Sequence, residues 1–185
     1  MGISFKQLLI LASLASVTNA AARDTYNFNA AWQIDKHKQT VTLPHAWNEY
    51  EAFKVPIAQL SDSVIWYRKN FRLPKSAEGK RVFIEFEGAR QGAEVFVNGK
   101  SVGINENGVM AFGFDLTPYL KKGVNKIEVR TDNSWNYHEK ATNSTFQWNN
   151  KNFNANYGGL PKNVWLHVMD DVYQTLPLYS NLKTT

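Results

Sequence analysis

A two-sheet antiparallel β-sandwich, jelly-roll-like and preceded by an export signal, is the all-β fold this sequence predicts. Three observations predict it. From Arg81 to Asn133, apolar and polar residues alternate over most of the stretch, so each strand can send one face into a core. Turn signals separate these runs: Asn98-Gly99, Thr117-Pro118 and Lys122-Gly123-Val124-Asn125. No segment shows the period of a long helix, and roughly eight to ten short strands fit the pattern.

The chain opens with Lys6 as a positive leader, followed by an apolar run, Leu8 to Val17, too short to cross a bilayer. Thr18-Asn19-Ala20 places small residues around a cleavage point. Residues 1–20 are therefore read as a signal peptide, and a periplasmic or secreted bacterial protein is expected. A buried core helix fits this run poorly, because it lacks an amphipathic period. The sequence has no Cys, which excludes a lipoprotein anchor and disulfides, so the core alone must hold the domain. Residues 21–171 suit one domain. Aromatics make up 14% and hydrophobic residues 43%, enough for a packed core. The formal charge is +5 and falls to +4 without Lys6. Its cations are interspersed with acids along the chain, a pattern expected of a solvated surface and not of a nucleic-acid stripe.

Phe28 to Ile34 is the first expected strand and Thr40 to Leu43 the second, halted by Pro44. His45 to Ser63 has no clear period. Ile65 to Leu73, Val82 to Phe86 and Ala93 to Val97 read as strands; Asn98-Gly99 then turns the chain, since both central positions of a type I′ turn need positive φ. Phe112, Phe114 and Leu116 share an inward edge. Thr117 is expected to cap a short helical turn with Pro118 at its first position, and Asp115 to cap the same turn. Lys126 to Thr131 follows, with Ile127 and Val129 inward, and Val164, Leu166 and Val168 mark the last strand. Asp132 to Leu160 breaks the rhythm with aromatics among asparagines, and so long a loop is usually functional. Residues 172–185 read as a linker.

Several segments then fall into an order of their own: Val41 to Asn48 (VTLPHAWN), Trp66 to Phe71 (WYRKNF), and Phe86 to Ala89 followed by Ala93 to Lys100. Phe112 to Leu120, Gly123-Val124-Asn125, and Tyr157 to Leu160 with Val164-Trp165-Leu166 continue it. Together they resemble the N-terminal sugar-binding domain of glycoside hydrolase family 2, β-galactosidase-like, over most of the mature chain. The resemblance implies a galactose-binding-like jelly roll, followed in the parent by immunoglobulin-like and (β/α)₈ barrel domains, the barrel carrying two catalytic glutamates. Asn105 to Val109 and Pro161-Lys162-Asn163 depart from the family pattern at turns, which bears on subfamily and substrate more than on fold.

A retaining glycosidase needs two carboxyls about 5–5.5 Å apart, and a barrel to hold them takes roughly 250 residues. Neither the length nor the pattern is present, so no residue here is expected to be catalytic and the chain alone is expected to be inactive. Glu85, Glu87, Glu94 and Glu128 are expected at the surface, and Trp66, Tyr67, Phe71 and Phe86 in the core. His37, His45, His138 and His167 lack metal-ligand spacing, and no cofactor or metal is expected; a structural hydrogen bond is the expected task of His45. Carbohydrate contact suits aromatic faces combined with amides. The candidates are Asn48, Trp148, Asn150, Asn152, Asn154, Asn156 and Tyr157, the loop before Gly158-Gly159 being the one that reaches the sugar subsite in the family. Against this stands the alternative that the asparagines cap turns and the aromatics plug the loop. A free-standing carbohydrate-binding module or lectin remains the other functional reading, and a purely structural sandwich a third.

Overall fold

The computed structural model describes residues 23–35, 38–145 and 156–173. The expected signal peptide, His37 and most of the expected linker lie outside the described residues.

Twelve strands are found among the described residues: β1 (Asp24–Asn27), β2 (Trp32–Ile34), β3 (Gln39–Val41), β4 (His45–Ala46), β5 (Val64–Arg72), β6 (Arg81–Phe86), β7 (Gly92–Val97), β8 (Lys100–Asn105), β9 (Phe112–Asp115), β10 (Val124–Asp132), β11 (Gly159–Leu160) and β12 (Val164–Met169). They form a six-stranded sheet in the order β3-β2-β5-β10-β7-β8 and a four-stranded sheet β1-β12-β6-β9, with β11 and β4 pairing separately. Every pairing is antiparallel. Among the described residues, short 3₁₀ helices interrupt the strands at Glu49–Phe53, Ile57–Gln59, Lys75–Ala77 and Thr117–Tyr119.

Alternation explains the core. β5 sends Ile65, Tyr67 and Phe71 inward, and β10, in register with it from Val124↔Arg72 to Asp132↔Val64, sends Ile127 and Val129. Val95 and Val97 of β7 continue that face, opposite Val82, Ile84 and Phe86 of β6 and Val164, Leu166 and Val168 of β12. Burying each such side chain stabilises the fold by about 1.5–3 kcal/mol. Aromatic contacts fill the ends: Phe86 stacks on Phe112 at 4.9 Å, and Phe28 meets Phe71 edge-on at 5.2 Å. The four-stranded sheet is also covered outside, where Phe83 and Met169 are buried and Tyr173 packs on them. The Asn98-Gly99 turn has φ of 50° and 81°, as a type I′ hairpin requires.

Four expectations need correction. The strand expected at Phe28–Ile34 is divided, because Asn27 Oδ1 accepts from Asn29 N at 3.0 Å and Ala31 turns at φ 60°. Trp66 points out of the core, its ring 5.6 Å from Phe96 and under the Arg68 guanidinium. Thr117 is no cap: its hydroxyl accepts from Val82 N at 2.9 Å, whereas Asp115 does cap the turn through Thr117 N at 2.8 Å. The four strand glutamates are half-buried and partnered, for example Glu87 with Trp165 Nε1 at 2.8 Å and Glu128 with Arg68 Nε at 3.1 Å.

Candidate functional site

Both irregular segments, His45–Ser63 and Asp132–Leu160, converge at one pole of the sandwich. They meet through three asparagine amides. Asn48 Nδ2 donates to Ser61 O at 2.8 Å and Asn156 O at 2.9 Å, while its Oδ1 accepts from Gly158 N at 3.0 Å. Asn133 mirrors it: Nδ2 donates to Asn156 O at 3.0 Å and to Ser61 O at 3.3 Å, and Oδ1 accepts from Ser63 N at 2.9 Å. Asn156 donates back to Asn133 O. All three are buried, at 1% exposure each. Two carbonyls thus serve two amides apiece, and a donor or acceptor left unmatched at this depth would cost about 1–3 kcal/mol.

Backbone pairing locks the same place. β4 and β11 pair as Gly159↔Ala46 and Leu160↔His45, and Trp47 N donates to Gly158 O at 3.1 Å. Gly158 admits no side chain: a Cβ there would land on the Trp47 ring nitrogen and the Asn133 amide. His45 Nδ1 lies 2.9 Å from Tyr67 Oη, the expected structural hydrogen bond. Burial lowers the His45 pKa and raises that of Tyr67, so both are neutral here.

The other end of the long loop is fastened separately. Trp135 Nε1 donates to Leu60 O at 3.1 Å and Trp135 N to Asp62 Oδ2 at 2.8 Å. Tyr137 Oη donates to Glu106 Oε1 at 2.6 Å, and Lys140 reaches Glu94 at 2.8 Å. Burial, reinforced by Glu106, raises the Tyr137 pKa. The two described ends of the loop, 132–145 and 156–160, are therefore each fixed to the sandwich.

Of the expected sugar-contact residues, the structure brings Asn48 and Asn156 together, but not as open amides. Asn48 is corrected: its three hydrogen bonds all go to backbone, and it positions the base of that loop. Asn156 sits in the same clasp, with its Oδ1 left without a hydrogen-bond partner among the described residues. Tyr157 is half-buried beside it. Trp148, Asn150, Asn152 and Asn154 lie outside the described residues. Sequence reasoning missed Asn133, although its place just after the last alternating residue of β10 marks a strand-end amide. It missed Tyr137–Glu106 as well, since nothing local links positions 31 apart. Among the described residues, no group of three or more His, Cys, Asp or Glu is arranged to hold a metal ion.

A β-sandwich whose loops are gathered and clasped at one pole is the class defined by this geometry. Residues 42–165 match the family described as glycosyl hydrolase 2 galactose-binding domain-like. The chain belongs to that family. It is 39% identical over 190 residues to a beta-glucuronidase of Formosa agariphila, covering 91% of this chain and 19% of that protein. It is 31% identical to the beta-galactosidase BoGH2A of Bacteroides ovatus, covering 84% of this chain and 19% of the other. Among solved structures, a beta-glucuronidase from glycoside hydrolase family 2 superposes with a TM-score of 0.77 at 37% identity, covering 91% of this chain and 20% of that one. The chain spans about a fifth of the length of these relatives.

Proposed function

We propose that this chain is the sugar-binding jelly-roll domain of a secreted glycoside hydrolase that removes terminal β-linked galactose or glucuronic acid. The observation that carries the reading is the family match over residues 42–165, combined with a span of only about a fifth of the relatives. The catalytic carboxyl pair then resides in a downstream barrel, reached through an immunoglobulin-like domain, and this chain contributes no catalytic group. Its share is the flap: Trp148, Asn150, Asn152, Asn154 and Tyr157 line the approach to the sugar, while Asn48 and Asn156 set the flap base. Tyr50, Phe53 and Ile57, just beyond the clasp, are 75%, 89% and 44% exposed and supply an apolar docking face for the barrel. Export follows from the leader at residues 1–20.

The test compares the 185-residue chain with the reading frame extended downstream, both assayed on nitrophenyl β-galactoside and β-glucuronide. Turnover by the extended protein alone is expected. Turnover by the short chain, or none by the long one, would overturn the reading.

A further inference from the structure

The pole remote from the clasp has a cleft of about 710 Å³. β5 runs from one pole to the other: Val64 starts beside the clasp and Arg72, the ninth residue of the strand, is in the cleft wall. At about 3.3 Å per residue the two ends are about 26 Å apart, so the cleft is separate from the flap. Its floor is apolar, formed by Leu73, Val82 and Leu120. Six cations stand around it. Lys80 pairs with Asp170 at 3.0 Å and Arg81 with Asp115 at 3.7 Å. Arg72, Lys75, Lys121 and Lys122 have no ion pair among the described residues, and all four are exposed. Only Glu78 and Asp171 oppose them in the lining.

These cations come from two stretches about forty residues apart in sequence, 72–81 and 121–122, and an acid, Glu78, interleaves the first, so the linear pattern reads as a mixed surface. Folding brings them to one concavity. An excess of unpaired positive charge around an open cleft raises the local concentration of anions. The volume suits a few sugar rings.

We propose that this cleft is a secondary binding site for an anionic polysaccharide, whose carboxylates or sulfates meet Arg72, Lys75, Lys121 and Lys122 while its ring C–H faces rest on the floor. The choice of a saccharide rests on the hydrolase reading above; the positive charge and concavity do not. Such a site would hold the polymer while the flap pole presents its chain end to the barrel.

The experiment titrates the 185-residue chain with alginate as a polyuronate, carrageenan as a sulfated galactan, neutral galactan and duplex DNA. Retention of alginate or carrageenan but not galactan is expected, falling steeply by about 0.3 M salt. Preference between the two polymers assigns carboxylate or sulfate as the recognised group. K121E/K122E should weaken binding about tenfold, whereas K38E/K54E, which reverses the same charge elsewhere, should leave it within about twofold. K75E gives an independent readout if the double reversal unfolds. Equal losses in both double variants, equal retention of galactan, or tighter capture of DNA would overturn the proposal. Asp171 at the rim places the outgoing chain beside the cleft, so loss of binding in the extended protein would overturn it too, marking the cleft as a seat for the following module. Aryl-glycoside turnover does not require this cleft, so its failure leaves the hydrolase reading standing.

Discussion

Lys69 occupies an inward position of β5 between Tyr67 and Phe71, where the alternation calls for an apolar residue. Its ammonium donates to Phe28 O at 2.9 Å and lies 3.8 Å from the Phe28 ring centre. These contacts favour the charged form, but burial is the larger effect and brings its pKa down to about 8. With the folded pKa below the unfolded value, the unfolded chain binds more protons between about pH 8 and 10.4. Stability therefore rises with pH across that window and is lowest below it. The wild-type unfolding free energy measured in urea should gain on that of K69M between pH 8 and 10.4; a constant difference would show that the ammonium is not disfavoured. Nothing in the local pattern marks this, because a lysine in a strand normally faces water. It became legible only once the turn at Asn27–Asn29 had folded Phe28 back over the strand.

At the level of elements, legibility followed alternation. β5, β6, β7, β10 and β12 lie within about two residues of their expected bounds because each sends alternate side chains into the core between the sheets. β4 and β11 were invisible, being two residues long with no period to show. Yet these two, with the three asparagines, hold the clasped pole together. Their weight can be measured. N48A removes one hydrogen-bonding amide and leaves Gly158 N without its acceptor, so it should lower the unfolding free energy by about 2–3 kcal/mol. G158A should cost at least as much, since its methyl displaces both Trp47 and Asn133. Urea unfolding decides this, and a change under about 0.5 kcal/mol in both variants would mean the clasp does not hold the flap. The composition of the flap pointed to this pole, but which asparagines were structural did not follow from it. A buried amide and a solvent-facing one are the same letter until the backbone groups they serve are placed.

For the whole molecule, the exposed Tyr50 and Phe53 carry the prediction. In the 185-residue chain they contact little, so Y50S/F53S should leave stability within about 0.5 kcal/mol. In the extended protein the same pair is expected to be covered, and the variant should unfold about 2–4 °C lower for each kcal/mol of docking lost. Scanning calorimetry on both proteins makes the comparison; an equal, negligible shift would deny the apolar docking face. The direction of the last strand adds a constraint. β12 leaves the flap pole at Val164 and ends by Arg81 at the other, so polypeptide emerging past Met169 starts its course a full strand length from the flap. A catalytic domain held at the flap cannot follow from a hinge of one or two residues there. Whatever comes between must retrace the height of the sandwich, which takes at least about eight residues of extended chain or an intervening module.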